Sequence, residues 1–321
     1  MYSSRWLKAH RVNAVVFSIG NITTGGTGKT PLVIWMYKQI LQNEKFKTKN
    51  LAMAILTRGY KSHLCRQSQI ADEPAILAES CPCAKVIVSP DRVAGARDAV
   101  DKFAAQILIM DDGFQHRRLA RNLDIVAIDA ANPFGFGKML PAGLLREPVN
   151  ALKRANAVVI THCDMVSGSD LAIVENKILT VRPDMTIAKS IHSPVCVKSG
   201  DNKQISLHEL KDKKVFVSCG IGSPSSFLST IKGLNVNIVG AKIYDDHHKY
   251  TAGDVAEIDR KAGLCGAELI LLTQKDWNKT IAFGRANESI AMMYLEIEIK
   301  FVTGEDKLKR LIDKVIAVKM A

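Results

Sequence analysis

The stretch "SIGNITTGGTGKTPLVIW" (Ser18–Trp35) decides which fold the sequence predicts. An apolar run leads into a glycine-rich turn, and Lys29 and Thr30 then begin a segment with helical apolar spacing. Such turns cradle phosphate, because glycine lets several backbone N–H groups converge on one anion. Thr23 stands six residues before the lysine, where the phosphate-loop pattern has glycine. The rest of the spacing still predicts a nucleotide site.

The loop predicts individual roles as well as a site. We expect Lys29 to reach the β- and γ-phosphates of ATP and the Thr30 hydroxyl to face Mg²⁺. A dinucleotide-binding turn is excluded because Pro31 stands where the third glycine would be. The predicted nucleotide-binding residues are Thr23, Thr24, Gly25, Gly26, Thr27, Gly28, Lys29 and Thr30.

A second acidic element is expected to help hold the metal ion. In "QILIMDDGFQHRR" (Gln106–Arg118) an apolar run ends directly in Asp111 and Asp112. A carboxylate at the end of a buried strand can face the Mg²⁺ of a phosphate loop. We therefore predict a metal site of Thr30, Asp111 and Asp112, and leave open which aspartate binds the ion directly.

Short apolar runs alternate with helical patterns along the chain, which predicts an α/β fold. The expected architecture is a P-loop NTPase-like parallel sheet sandwiched by helices, plus a second, smaller α/β domain joined by extended linker strands. We predict a core domain at 1–187, linker strands at 188–200 and 291–301, and a smaller domain at 201–290. A C-terminal helix at 302–321 can return to the core domain. The predicted core strands are Ala14–Ser18, Leu51–Leu56, Lys85–Val88, Ile107–Met110, Asp124–Ile128 and Ala157–Ile160.

Composition narrows the class of protein. The chain has 321 residues, 47% hydrophobic and 24% charged, which fits about two globular domains. The formal net charge of +12 indicates an anionic partner or a generally basic surface. Seven cysteines without repeated C-x-x-C pairs argue against a disulfide framework and favour a reducing compartment.

Beyond the loop, a series of motifs resembles the tetraacyldisaccharide 4'-kinase family. In chain order these are "GNITTGGTGKTP", "LTRGYK", "DEP", "SPDRVAGA", "DDGFQHRRL", "LPAGLLREP" and "DHHKYT". The resemblance covers roughly Ile19 to Asp276, and threonine in place of the first loop glycine is usual in that family. It implies ATP-dependent phosphorylation of the 4'-hydroxyl of tetraacyldisaccharide 1-phosphate in lipid A biosynthesis.

The resemblance also implies a catalytic set of Asp72, His247 and Lys29. An alcohol is a poor nucleophile until it loses its proton, so a base is needed near the acceptor. Asp72 heads a predicted helix, and a plain helix cap is its alternative role. An imidazole held by a carboxylate can move a proton near neutral pH, which suits a pair of Asp72 and His247. His248 remains the alternative to His247.

Further motif positions are expected at the acceptor. They could bind its sugar or its 1-phosphate, although a solvated basic face is the alternative for the arginines of the "HRR" segment. Glu147 could instead order its neighbour Arg146 or approach the metal. The predicted substrate-binding residues are Arg58, Tyr60, Arg92, Gln115, His116, Arg117, Arg146 and Glu147.

The acylated substrate and the basic chain together predict contact with an anionic membrane surface. We expect a peripheral, monomeric protein at the cytoplasmic face of the bacterial inner membrane, or a cytoplasmic one if the short N-terminus is native. Trp6 and Leu7 lie among basic residues there, which is too little for a stable anchor. No apolar run reaches the length of a transmembrane helix, and no specific nucleic-acid partner is expected.

One other enzyme class remains as an alternative, a regulatory P-loop ATPase or GTPase of the partitioning or metal-insertion type. Partitioning ATPases carry a lysine where this chain has Thr24. The guanine-reading motif N-K-x-D is only approached by "THCD" (Thr161–Asp164) and "TQKD" (Thr273–Asp276). Both lack the lysine in second place, so a preference for guanine is not expected.

Overall fold

A computed structural model describes residues 9–44, 51–59, 72–200, 203–246, 248–285 and 289–320. The chain divides into two compact units. The first unit comprises Met1–Arg66, Leu77–His192 and Ile299–Ala321, and the second comprises Gln67–Ile76 and Ser193–Glu298. Tyr60 and His247 lie outside the described residues.

The described strands are β1 (Val15–Gly20), β2 (Met53–Thr57), β3 (Ala84–Val88), β4 (Ile107–Asp111), β5 (Leu123–Asp129), β6 (Ala157–Thr161), β7 (Thr186–Lys198), β8 (Gln204–Ser206), β9 (Lys214–Cys219), β10 (Asn237–Ile243), β11 (Leu269–Thr273) and β12 (Ala291–Thr303). The described helices are α1 (Lys29–Gln42), α2 (Asp72–Ser80), α3 (Arg92–Phe103), α4 (Gly168–Val181), α5 (Pro224–Lys232), α6 (Ala252–Leu264), α7 (Gln274–Thr280) and α8 (Glu305–Met320). Three of the four unit boundaries fall within α2, β7 and β12.

The first unit is built on a parallel sheet of order β7-β6-β5-β1-β4-β2-β3. Most of these strands are buried along their whole length, as their continuous apolar runs require. The carboxyl ends of parallel strands lie at one edge, so the segments that follow β1, β4, β5 and β6 meet there. The predicted fold class, a mostly parallel sheet flanked by helices, is confirmed.

Helix α1 covers the sheet with the face that its sequence spacing predicts. Leu32, Val33, Met36 and Ile40 are buried there. The apolar side of α8, whose Leu308, Ile312 and Ile316 are also buried, belongs to the same cluster. Trp35 Nε1 in α1 donates a hydrogen bond to Glu305 Oε1 at 3.1 Å. The C-terminal helix is thus part of the core of the first unit.

In the second unit the strands follow the order β10-β9-β11-β12, and neighbouring strands are parallel. Phe227 and Ile231 of α5 belong to one core cluster with this sheet, and Val255 and Ile258 of α6 belong to another. Among the described residues, no helix combines the length and apolar character needed to span a membrane.

Candidate active site

The phosphate loop joins β1 to α1 and has the shape of a cradle. Gly25 has φ 103° and Gly28 has φ 76°, values that favour glycine. Asn21 Nδ2 donates to Thr27 Oγ1 at 3.0 Å, and Thr27 N donates to Gly25 O at 3.1 Å. Gly28 is the N-cap of α1 and supplies no side-chain cap, so an anion could bind at the N-terminus of this helix.

The anomalous Thr23 has a structural explanation. It is buried and pairs with Leu145 in an isolated antiparallel bridge. Its neighbour Thr24 donates from its backbone N to Leu144 O at 2.8 Å, and Arg146 N donates to Ile22 O at 2.7 Å. Leu144–Arg146 of the "LPAGLLREP" segment therefore pair with Ile22–Thr24 like a strand. This extended pairing suits a β-branched threonine and does not require glycine.

Lys29, Asp112 and Arg146 form the charged centre of the site. Arg146 Nη1 lies 2.9 Å from Asp112 Oδ1 and 2.8 Å from Oδ2, while Lys29 Nζ lies 3.7 Å from Oδ1. Burial raises the pKa of Asp112, but Lys29 and Arg146 outweigh it, so the pKa lies below its usual value. Asp112 is therefore a carboxylate at neutral pH.

The shape of the turn after β4 explains the D-D-G order of the motif. Asp112 has φ 53°, a left-handed conformation that aspartate tolerates better than most residues. The next residue must be small, because a β-carbon on Gly113 would lie 2.7 Å from Ser18 Oγ. The turn thus directs the Asp112 side chain toward Lys29.

The residues predicted for Mg²⁺ fit that ion by chemistry. Asp111 is buried at the end of β4, and Thr30 is the second residue of α1. Carboxylate and hydroxyl oxygens are the hard ligands that Mg²⁺ prefers, and the lowered pKa keeps Asp112 ionised. The set Thr30, Asp111 and Asp112 therefore satisfies the donor requirement.

Arg92 is buried instead of lying open to a ligand. Its Nη1 donates to Ser89 O, and its Nη2 donates to Asp111 O at 3.2 Å. Burial lowers the pKa of Arg92, opposed by the nearby carboxylates of Asp111 and Asp112. Arg92 thus holds the end of β4 in place and supplies positive charge beneath the two aspartates.

Gln115 and Glu147 are engaged with neighbouring loops. The Gln115 side-chain amide donates to Asn21 O at 2.7 Å and to Glu147 Oε1 at 3.1 Å. Glu147 also forms an ion pair with Arg154 at 2.9 Å. In this arrangement Gln115 joins three motif segments: the phosphate loop, the "DDGFQHRR" turn and the "LREP" segment.

The other predicted acceptor residues lie in the same unit. His116 is half-buried, and burial first and Arg92 second lower its pKa, so it is neutral at pH 7. Arg58 follows β2 and is exposed, and its charge acts on both Arg92 and His116. Arg117 is half-buried in the turn after Gln115.

The predicted catalytic pair is described only in part. Asp72 is the first described residue of α2, and His247 lies outside the described residues. The alternative, His248, is held in the second unit. Its Nε2 lies 3.3 Å from Asp254 Oδ2, and its ring stacks on Tyr244 with centroids 4.3 Å apart. Asp254 also caps the first turn of α6, so His248 is tied to the helix start.

A group that the sequence analysis missed lies beside the phosphate loop. Asp129 Oδ1 is 3.1 Å from His162 Nδ1, and His162 Nε2 is 3.0 Å from His192 Nδ1. Because the carboxylate can only accept, both rings donate from Nδ1, which leaves His192 Nε2 as an acceptor. This atom is buried without a hydrogen-bond partner among the described residues. A β-carbon on Gly28 would lie 2.9 Å from it.

A sequence signal for this group existed. Asp129 and His162 each stand at the carboxyl end of a buried strand, the edge where the phosphate loop lies. Thr161, beside His162, donates to Thr27 O in the loop at 3.2 Å. In "THCD", Thr161 thus contacts the phosphate loop and His162 contacts His192, although this segment lacks the guanine-reading pattern.

Comparison with known proteins places the chain in one family along nearly its whole length. The model of the family described as tetraacyldisaccharide-1-P 4'-kinase matches residues 1–317. Tetraacyldisaccharide 4'-kinase of Anaeromyxobacter sp. (strain K) is 32% identical, over 99% of this chain and 86% of that protein. The enzyme of that name from Syntrophus aciditrophicus (strain SB) is 33% identical, over 93% of this chain and 84% of that protein.

A solved structure matches along nearly the same length. It is the crystal structure of an "apo" form of LpxK from Aquifex aeolicus in complex with ATP. The TM-score is 0.70 at 26% sequence identity, and the match covers 98% of this chain and 92% of that chain. The sequence motifs, and the phosphate loop with the acidic end of β4, are consistent with these matches. The chain belongs to the tetraacyldisaccharide 4'-kinase family.

Proposed function

We propose that the protein phosphorylates the 4'-hydroxyl of tetraacyldisaccharide 1-phosphate, a lipid A precursor, with ATP as the donor. Family membership supports a phosphotransferase with an alcohol acceptor, and the related Aquifex aeolicus protein was solved with ATP. The observation that carries the proposal is the cluster of Lys29, Asp112 and Arg146 at the phosphate loop. It gathers two cations where a triphosphate would end.

The chain's contribution to transfer is mainly electrostatic. Phosphoryl transfer needs charge stabilisation on the γ-phosphate oxygens and alignment of the attacking oxygen. Lys29 and the backbone N–H groups at the start of α1 would hold the β- and γ-phosphates. Arg146, already at the site, would share the developing negative charge. A bound triphosphate would compete with Asp112 for both cations.

Thr30, Asp111 and Asp112 would hold Mg²⁺. Mg²⁺ held by these residues would neutralise part of the negative charge of the triphosphate. Arg92 would support metal binding indirectly, because this buried side chain donates a hydrogen bond to the backbone carbonyl of Asp111. Asp112 would exchange its contacts with Lys29 and Arg146 for the ion and the nucleotide.

Asp72 with His247 would remove the proton of the acceptor hydroxyl. Asp72 belongs to α2, and an aspartate carboxylate is a group that can take a proton from an alcohol. His248 is held by Asp254 and Tyr244, which favours His247 as the second member. Asp72 would take the proton, and His247 beside it would help to pass the proton to solvent after transfer.

The remaining residues predicted to bind the acceptor fall into two groups: some would contact the acceptor, and others hold the neighbouring loops in place. Arg58, exposed after β2, is the candidate for an anionic group of the acceptor, with Arg117 and His116 next along the site. Tyr60 stays a prediction. Gln115 and Glu147 would act indirectly, by joining the loops that surround Lys29. Their loss should distort the site rather than remove one substrate contact.

The partners follow from the acceptor. An acylated disaccharide 1-phosphate resides in a bilayer, so we propose that the protein works as a monomer at the cytoplasmic face of the bacterial inner membrane. The net charge of +12 favours such an anionic surface. The attachment is peripheral in this proposal.

The deciding experiment is phosphate transfer from γ-labelled ATP in the presence of Mg²⁺ and detergent-dispersed disaccharide 1-phosphate. Label should appear in the lipid fraction, and Lys29→Ala should remove nearly all of it. Lys153→Ala, an exposed lysine of the same unit, is the matched control. Label found only as free phosphate would favour a regulatory ATPase and would refute the kinase assignment.

A further inference from the structure

An exposed apolar loop stands beside the active site and has no part in the chemistry described above. Residues 136–142, "FGKMLPA", are all exposed. The Phe136 side chain is 78% exposed, that of Leu140 is 51% exposed and that of Met139 is 43% exposed. Large apolar side chains exposed next to one another indicate an interaction surface more strongly than a single exposed residue does.

The exposed Phe136 has an unfavourable backbone conformation. Gly135, Phe136 and Gly137 have φ values of 53°, 61° and 69°. Glycine adopts this region freely, whereas a bulky aromatic residue is rarely found there. Glycine or asparagine would suit the position better. An aromatic ring kept at such a position, and kept exposed, points to a use outside the folded chain.

The base of the loop is attached to the phosphate loop. Leu144 O accepts from Thr24 N at 2.8 Å, and Leu140 N donates to Leu145 O at 2.9 Å. Arg146, one residue further on, holds Asp112. The apolar tip and the phosphate-binding residues are thus parts of one hydrogen-bonded structure, so whatever binds the tip also positions the site.

We propose that the loop 136–142 inserts into the acyl region of an anionic bilayer and places the phosphate loop at the membrane surface. This inference rests on the proposed function, whose acceptor sugar is held in a bilayer by its acyl chains. The charge of the loop is complementary to such a surface. Lys138 is its charged residue, and no carboxylate lies between 136 and 142. Phe136 and Leu140 enter the acyl region while Lys138 stays among the headgroups.

The first test measures binding of the full chain to vesicles that contain neither substrate nor ATP. The probe is vesicles of phosphatidylethanolamine with phosphatidylglycerol, compared with phosphatidylcholine alone, in a sedimentation assay. Phe136→Asn removes the ring and accepts the left-handed conformation. It should weaken binding about ten- to hundredfold, the effect of withdrawing one buried aromatic side chain. Lys138→Gln should cost about fivefold, and only on the anionic vesicles.

Leu264→Ser is the matched control, since Leu264 at the end of α6 is 76% exposed and lies in the second unit. It should bind vesicles like the parent protein. Equal binding by Phe136→Asn and the parent would overturn the proposal. So would a concentration-dependent dimer that Phe136→Asn abolishes in light scattering, because the tip would then contact a second copy of the chain.

A kinetic comparison separates the bilayer from the acyl chains of the substrate. Phe136→Asn should raise KM for acceptor embedded in vesicles by about tenfold or more, and should raise it far less for acceptor dispersed in detergent. An equal rise in both would assign the tip to the substrate's own chains and refute bilayer insertion. Failure of the parent protein to phosphorylate dispersed acceptor would instead refute the proposed function, and the vesicle-binding result would stand by itself.

Discussion

Arg146 contacts both carboxylate oxygens of Asp112 through a single nitrogen, Nη1, at 2.9 and 2.8 Å. Lys29 approaches the same carboxylate to 3.7 Å. Asp112 therefore offsets the repulsion between two cations that the site needs for a triphosphate. The carboxylate therefore holds both cations close together in the site.

Asp112→Asn should consequently impair both organisation and turnover. The amide cannot neutralise Lys29 and Arg146 and is a weaker ligand for Mg²⁺. We expect kcat to fall by about 10²–10³, the effect of losing one preorganised electrostatic group, and the Mg²⁺ concentration for half-maximal rate to rise. Steady-state rates measured over a Mg²⁺ titration test this. An unchanged Mg²⁺ dependence would assign Asp112 to cation organisation alone.

Asp72→Asn tests the proposed base. The change keeps the size of the side chain and removes its ability to take a proton, so kcat should fall by about 10²–10⁴. ATP affinity, measured by equilibrium binding, should stay within about twofold, because the phosphate loop is untouched.

Glu73→Gln is the neighbouring control for Asp72. Glu73 is partly exposed and 3.7 Å from Lys275, an ion pair of small energetic value. Its loss should leave kcat nearly unchanged. If Asp72→Asn abolished ATP binding instead, the carboxylate would have to be a metal ligand or a structural cap.

Residue patterns predicted the elements that depend on local sequence. The apolar runs before Lys29 and Asp111 are strands, and the spacing of Leu32, Val33 and Met36 identified the face of α1 that is buried. These features follow from strand burial and helix periodicity, which a single segment displays. The parallel direction of the strands follows from the alternation of strands and helices along the sequence.

Local residue patterns do not predict the contacts between segments that are distant in the sequence. Arg92 and Gln115 belong to motifs, but a motif does not tell whether a side chain turns toward a ligand or toward backbone carbonyls. His162 and His192 are thirty positions apart and meet because β6 and β7 are neighbours in the sheet. Their contact depends on strand register, which the sequence pattern left undetermined.

The His162–His192 pair predicts how stability changes with pH. Burial first, and the neighbouring His162 second, lower the pKa of His192 to about 3, opposed by Asp129. The unfolded chain has a histidine pKa near ~6.5, so it binds more protons than the folded protein between these values. The free energy of unfolding should therefore decrease as pH falls from about 6.5 toward 3, by at most about 1.4 kcal/mol per pH unit.

Replacement of the histidine isolates this contribution. His192→Gln has no proton to bind, so its unfolding free energy, from urea titrations at a series of pH values, should decrease less below pH ~6.5 than that of the parent protein. His208→Gln, at an exposed histidine, should keep the parent's pH dependence. Parallel curves for the parent and His192→Gln would mean that His192 titrates in the folded protein as it does in the unfolded chain.

The C-terminal helix predicts a large effect on the stability of the first unit. Ile312 in α8 is 2% exposed and belongs to the core cluster of Trp35 and Met36. Ile312→Ala should reduce the free energy of unfolding by about 2–5 kcal/mol, because it removes buried methyl groups and leaves a cavity. Val318→Ala is the control on the same helix, since Val318 is 73% exposed, and it should change stability by no more than about 0.5 kcal/mol.

Urea unfolding followed by circular dichroism measures the free energy of unfolding of both variants. Equal stability of the two would show that α8 contributes little to this core, and ATP binding by Ile312→Ala would then be expected to match the parent as well.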